Sequence, residues 1–339
     1  MTKKDKAKQL WDSCFTDSKE FTKLYFDKRY TDENTVALMQ EDQMTSMLQL
    51  LPYPFLFLGQ ITDTLYISGA CTHPNFRNQG LMQKLLVQAF KQIQKENISL
   101  CTLIPAEDWL FNYYQKSGFE TVFHQATYQI QVPKYKQDSN VVVTFNNTFN
   151  EESYSYLANQ MKKRPSSILH TPEDFQVILA DLRLAEGQVF TARIQTKIVG
   201  IALAYYNPID KQIHVNEILS KDICINQELF QAMSSFYNTD KISVITAPYK
   251  ENKDRLGMLR IIQATPILRI FAKNRPQWKT SFYLQDPLLP ENEGVYQIQD
   301  GKVSFNPKGD DSTYQTISIN ELALRLFEPL APYMSLMLN

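Results

Sequence analysis

The chain has 339 residues, 43% hydrophobic and 12% aromatic, which suits two or three packed domains and excludes a largely disordered protein. Its 35 basic and 36 acidic side chains leave a formal charge of −1, so nucleic acid is not the expected partner. The cysteines (Cys14, Cys71, Cys101, Cys224) and histidines (His73, His124, His170, His214) are scattered, which predicts no metal site, no disulfide framework and a reducing, cytoplasmic compartment.

The basic N-terminus is followed by no unbroken apolar core, so no signal peptide is read there. No uncharged apolar run reaches the roughly 18–20 residues of a membrane span, and no membrane partner is expected. Residues 6–15 place Leu10, Trp11, Cys14 and Phe15 at helical spacing. Asp17 or Ser18 can cap a second helix carrying Phe21, Leu24, Tyr25 and Phe26. Strands are predicted over 35–39, 45–51, 54–61 and 65–72. A helix after Gly80 should bury Leu81, Leu85, Leu86, Ala89, Phe90 and Ile93. Then come a strand over 98–104, a helix over 108–116 stopped by Gly118, and a strand over 125–132. This is a mixed α+β unit ending near Pro133, with 133–140 as a polar linker.

A second unit reads as strand 141–145, helices 151–163 and 172–184, strands 189–194, 197–206 and 212–219, helix 226–237 and strand 241–247. Its element order repeats the first. A third unit starts near Gly257, with a strand over 258–263, a helix over 266–273 and strands 279–285, 294–299 and 302–306. Asp300-Gly301 is a hairpin turn between the last two. A helix over 319–327 leads to an apolar tail, 332–339, whose composition favours a buried terminus.

The chemically telling stretch is 68–82, where a short apolar strand, a Pro-containing turn and Arg77-x-x-Gly80 open the long amphipathic helix. Unpaired N–H groups at that helix start, its dipole and the Arg77 guanidinium together suit an anion such as a pyrophosphate. The matching stretch of the second unit, 220–226, has neither Gly nor Arg-x-x-Gly, so it is predicted to lack a phosphate cradle. His73, before Pro74, is read as shaping the turn. Cys71 is read as a small apolar filler, since no base is evident beside it. Glu107 and Asp108 open their helix, where they could also line an entrance for a cationic amine.

Thr72-His73-Pro74-x-x-Arg77-x-x-Gly80-Leu81-Met82, the downstream 113–119 stretch Tyr-Tyr-Gln-Lys-Ser-Gly-Phe and the three-unit layout resemble an Eis-type GNAT acetyltransferase over essentially the whole chain. The resemblance implies a duplicated GNAT acyl-CoA N-acyltransferase fold and a small α+β sterol-carrier-like C-terminal domain. The divisions are 1–133 (acetyl-CoA site), 141–256 (degenerate GNAT-like) and 257–339. It further implies acetyl-CoA as co-substrate, with the backbone of Ala70, Cys71 and Thr72 on the pantetheine arm. Arg77, Asn78, Gln79, Gly80, Leu81 and Met82 would form the pyrophosphate loop. Tyr114 would be the general acid, with Tyr113 as fallback, and the C-terminal carboxylate of Asn339 the general base. The acceptor would be an amine of a small molecule or a lysine side chain, and the protein a homo-oligomer, plausibly a hexamer. A different class, a non-catalytic acyl-CoA-binding or lipid-carrier protein, is the alternative.

Overall fold

The computed structural model describes residues 1–133, 139–248, 251–309 and 311–338. In chain order the first part holds α1 (Lys3–Cys14), α2 (Lys19–Lys28), β1 (Thr35–Gln40), β2 (Gln43–Phe57), β3 (Gln60–Thr72), α3 (Leu81–Lys95), β4 (Leu100–Leu103), α4 (Asp108–Gln115) and β5 (Glu120–Gln131). There follow β6 (Val141–Asn146), α5 (Glu151–Met161), β7 (Ser166–Ile168), α6 (Pro172–Leu184), β8 (Gln188–Ile194), β9 (Lys197–Asn207), β10 (Gln212–Ser220), α7 (Ile223–Tyr237) and β11 (Lys241–Thr246). The last part holds β12 (Asp254–Ile261), α8 (Ala264–Asn274), β13 (Thr280–Gln285), β14 (Gly294–Gln299), β15 (Lys302–Asn306), β16 (Thr316–Ser318) and α9 (Ile319–Phe327). Most of the expected linker, residues 134–138, lies outside the described residues.

Local rules account for many of these elements. Thr2 with Asp5, and Thr171 with Asp174, form reciprocal capping boxes on α1 and α6, and Ser18 caps α2. α3 buries Leu85, Leu86, Ala89, Phe90 and Ile93, the stripe its sequence spacing predicts, while Leu81 stays partly exposed. The two strands expected over 45–51 and 54–61 are one continuous strand, β2, with β3 as its antiparallel hairpin partner. Pro52 and Pro54 are tolerated there because β1 pairs with β2 only as far as Gln49, and β7 begins pairing at Phe55. The missing N–H groups fall in that gap.

The strands of the first two units form one sheet in the order β1-β2-β3-β4-β12-β5-β11-β10-β9-β8-β6, with β7 added on β2. β5 joins them: Glu120–Gln125 pairs with β12, and Ala126–Gln131 pairs with β11. The strand expected to open a third unit at Gly257 therefore lies inside the first unit's sheet, antiparallel to both β4 and β5. A boundary at 257 falls in the middle of this strand. Its apolar residues (Met258, Leu259, Ile261) mark it as buried, but nothing in a linear pattern says which strands it will join. β13 to β16 make a separate four-stranded sheet, covered by α8 and α9, whose core runs into that under α1 and α2.

Near the end of β12 sits Arg260, fully buried, paired at 2.6 Å with the equally buried Asp286 and lying 4.6 Å over the Phe90 ring. The ion pair ties the end of β13 to β12, and the ring contact ties β12 to α3. Removing the carboxylate strands a guanidinium in the core, so Asp286→Ala should cost about 3–5 kcal/mol. Glu321→Ala, which breaks the exposed α9 pair with Arg325, should cost less than about 0.5 kcal/mol. Urea unfolding midpoints of the two variants check the contrast.

Candidate active site

The turn after β3 is built by short-range bonds. The His73 ring Nδ1 accepts the Asn75 N–H at 3.2 Å, capping a single 3-10 turn at Pro74–Phe76. The chain then reaches α3 through two left-handed residues, Asn78 (φ 61°) and Gly80 (φ 71°). A Cβ on Gly80 would meet nothing within 4 Å, so it is the backbone conformation that favours glycine, and the space above it is open. No side chain caps α3. Its first intrahelical donor is the Lys84 N–H, to the Gly80 carbonyl at 3.1 Å, which leaves the N–H groups of Leu81, Met82 and Gln83 without acceptors among the described residues. The arrangement can take an anion. The corresponding helix of the second unit differs: the Asp222 carboxylate accepts the N–H groups of Cys224 (3.0 Å) and Ile225 (3.1 Å), so that helix start is filled by its own chain.

β3 and β4 run parallel and pair only over Thr64–Tyr66 against Leu100–Thr102. Beyond Tyr66 they part, and the end of β3, Ala70–Thr72 included, has no strand on that side. On the other side a bulge sets Gly69 and Ala70 opposite Leu48 alone. Gly69 has φ 58°, and a Cβ there would lie 2.3 Å from the Trp11 ring, so glycine is required for α1 to close on the bulge. Tyr114 on α4 is 7% exposed, ringed by Tyr113 and Phe119, and feels the electrostatic influence of both Cys71 of β3 and Cys101 of β4. Its ring packs in the core beneath α3, with Ile67 of β3 and Cys101 and Leu103 of β4. Its hydroxyl makes no hydrogen bond among the described residues. Burial raises its pKa, with the Tyr113 and cysteine neighbours adding to the shift, so the phenol keeps its proton at neutral pH.

Sequence reasoning missed Cys14. The last residue of α1, it is half-buried, with its sulfur 3.5 Å from the Thr72 carbonyl oxygen. The exposed Arg77, expected at the anion, donates its Nε–H to that same carbonyl at 3.2 Å. The thiol of Cys14 is lowered to about 6 by a hydrogen bond from Cys71, helped by Ser13 and the Arg77 charge, against the effect of burial. Cys71 is correspondingly raised, because its proton is shared with Cys14 and it is buried. Cys71, read as apolar filler, is buried and is the neighbour that lowers Cys14 most. A trace of this was present in the sequence, since Cys14 stands one helical turn after Leu10 and Trp11. Asp108 pairs with Arg255, and Glu107 accepts the Trp109 indole N–H at 2.7 Å.

Tyr333, Met334, Ser335 and Leu338 of the C-terminal tail are buried. Asn339 lies outside the described residues. The Tyr333 backbone pairs with β7, its N–H to the Ser166 carbonyl at 3.1 Å and its carbonyl accepting the Ile168 N–H at 2.9 Å. Met334 and Met337 pack against the core that contains Cys71, Tyr66 and Tyr25. The tail thus passes along the side of β3 opposite α3. Among the described residues, no group of three or more His, Cys, Asp or Glu could hold a metal, and no helix is long and apolar enough to cross a membrane.

Residues 2–122 match the acetyltransferase (GNAT) domain family. No curated protein matches the sequence. Among solved structures, a GCN5-related N-acetyltransferase from Anabaena variabilis superposes over 97% of this chain and 96% of its own, with a TM-score of 0.76 at 16% identity. A GCN5-related N-acetyltransferase from Kribbella flavida covers 99% of this chain and 95% of its own, with a TM-score of 0.75 at 14% identity. Eis1 from Mycobacterium abscessus covers 95% and 86%, with a TM-score of 0.70 at 12% identity. The fold is therefore the mixed α/β GNAT fold, and the N-terminal part of the chain carries a GNAT acetyltransferase domain.

Because the thiolate is the reactive form, iodoacetamide should alkylate Cys14 with a pH midpoint near 6 rather than the usual 8.5 or so. Cys71→Ala should move that midpoint up, and Arg77→Ala should move it up by less. Peptide mass spectrometry across a pH series reads both shifts.

Proposed function

We propose, from a GNAT acyltransferase domain of this geometry, that the protein is an acetyl-CoA-dependent N-acetyltransferase acting on an amine of a small molecule or a lysine side chain. The observation that carries this reading is the pairing of an uncapped helix start at 81–83 with a protonated Tyr114 in the core beneath that same helix. The free N–H groups of Leu81, Met82 and Gln83, reached through Arg77–Gly80, suit the pyrophosphate. The unpaired side of Ala70–Thr72 offers backbone groups to the pantetheine amides. A neutral amine attacks the acetyl carbon and forms the C–N bond; the C–S bond then breaks, and Tyr114 protonates the departing thiolate. A coenzyme A thiol has a pKa close to the roughly 8.5 of cysteine, near enough for an aligned phenol to supply the proton.

The amine's proton needs a base, and we assign it to the Asn339 carboxylate, acting directly or through water. A terminal carboxyl of about 3.5 is intrinsically weak, and burial beside Leu338 and Met337 would raise it toward the useful range. The units act as one catalytic subunit of a homo-oligomer, with β12 completing the first unit's sheet and the C-terminal part that follows it, from α8 onward, forming a sterol-carrier-like unit.

Tyr114→Phe should lower kcat by about 10²–10³-fold while leaving the Kd for acetyl-CoA within about twofold. Equal losses in both would make the residue structural. Deleting Leu338 and Asn339 should abolish transfer with the circular dichroism unchanged; full activity would remove the terminal carboxylate from the reaction. Free-thiol release is assayed against polyamines, aminoglycosides and lysine peptides. Tight acetyl-CoA binding without release on any of them would instead favour a non-catalytic acyl-CoA carrier.

A further inference from the structure

The second unit, like the first, follows two helices with an antiparallel three-strand run (β8–β10), a helix (α7) and a strand parallel to the last (β11), but its helix start is filled by Asp222, and it contains a buried carboxylate that the reaction above does not use. Glu217 on β10 is 1% exposed. Along β10, Ile213 and Val215 face the core under α7. The register against β9 then slips between Val215 and Glu217, making Asn216 an extra residue. A one-residue slip exchanges the faces of a strand. After it, Leu219 packs in the other core, with α5 and α6, and Glu217 is aimed to the same side.

That side is where the C-terminal tail runs. Glu217 Oε2 accepts the Tyr333 hydroxyl at 2.8 Å and the Ser335 hydroxyl at 2.7 Å, and Oε1 accepts the Ile218 N–H at 3.1 Å. The Arg164 guanidinium covers the Tyr333 ring at 3.7 Å, and His170 Nε2 lies 3.0 Å from the Ser335 carbonyl oxygen. Directly after Ser335 the chain bends through Leu336 at φ 56°, a conformation a bulky residue keeps only when its surroundings hold it.

We propose that Glu217 is the positioning residue of the C-terminal tail, through which the second unit fixes the last residues of the chain for the first unit's site. Its catalytic consequence rests on the assignment of the terminal carboxylate as base. Anchoring Ser335 keeps residues 336–339 within about 14 Å of that point by the reach of the chain alone. Such confinement raises the effective concentration of a chain end at a site.

The test uses the full-length chain with Glu217→Ala, Glu217→Gln and Tyr333→Phe. Carboxypeptidase release of Asn339 and Leu338, followed by mass spectrometry, should be about tenfold faster for Glu217→Ala. Tyr333→Phe, which keeps the carboxylate and one donor, should accelerate it by about threefold, and Glu217→Gln should lie between wild type and Ala. In acetyl transfer, Glu217→Ala should lower kcat by about tenfold and leave the KM for acetyl-CoA unchanged. Release at the wild-type rate in both Glu217→Ala and Tyr333→Phe would overturn the proposal. Where the chain lacking Leu338 and Asn339 keeps measurable transfer, a further tenfold loss on adding Glu217→Ala would also overturn it, since the residue would then not act through the tail. Faster release with full activity, in a protein whose truncated form is also fully active, would uphold the anchor and reject only the carboxylate as base.

Discussion

The parting of β3 from β4 after three paired residues is the constraint on which the rest of the site depends. A parallel pair that continued past Tyr66 would satisfy the backbone of Ala70–Thr72 and leave nothing for a ligand to bond. Closure is prevented from both sides. The bulge at Gly69, pressed by Trp11, bends the end of β3, and β12 grips the far side of β4 over Leu100–Leu103. Tyr114 packs in the core beneath α3, whose N-terminus carries no side-chain cap. An unsatisfied strand edge and unsatisfied helix donors are costly when buried and useful when turned toward an anionic, amide-bearing ligand.

The two similar halves have divided their roles by small polar choices. At the helix that follows the third strand of the meander, Gly80 leaves the donors open, whereas Asp222 closes them with its own carboxylate. The second half then places an acid where a strand would ordinarily bury an aliphatic residue, and uses it on the tail. Buried hydroxyl-to-carboxylate bonds are specific more than they are strongly stabilising, because the desolvation of the carboxylate offsets much of what they contribute. Their value here is to fix a chain end that could otherwise adopt many conformations.

What could be read from the sequence was whatever is decided locally. The Arg77-x-x-Gly80 turn, the α3 stripe and the Asp300-Gly301 hairpin each depend on neighbours within a few residues, and the structure places them as their spacing suggests. The helix that carries Tyr114, and its stop at Gly118, were legible in the local pattern. The pairing of β12 did not, since its partners lie more than 100 residues earlier in the chain. The continuity of β2 was hidden by two prolines whose missing donors happen to face a gap. The Arg77 bond to the Thr72 carbonyl is local, whereas the contact of Cys14 with that same carbonyl arises from α1 crossing the end of β3, which no linear spacing encodes. Glu217 left one visible mark, a carboxylate in an inward slot of the alternating run Ile213, Val215, Leu219; the bulge that gives it meaning was not legible.

The insertion of β12 between β4 and β5 also orders events in time. Until residues 254–261 have left the ribosome, β4 and β5 have no strand between them, and the first 133 residues hold an incomplete sheet with two exposed apolar edges. Folding of the N-terminal unit thus waits on a segment made after the whole second unit, a long-range closure of the kind that slows folding. A nascent chain of this protein must keep those edges from mispairing while the intervening residues are synthesised. The second unit, already attached through β5 and β11, is the part of the molecule best placed to shelter them.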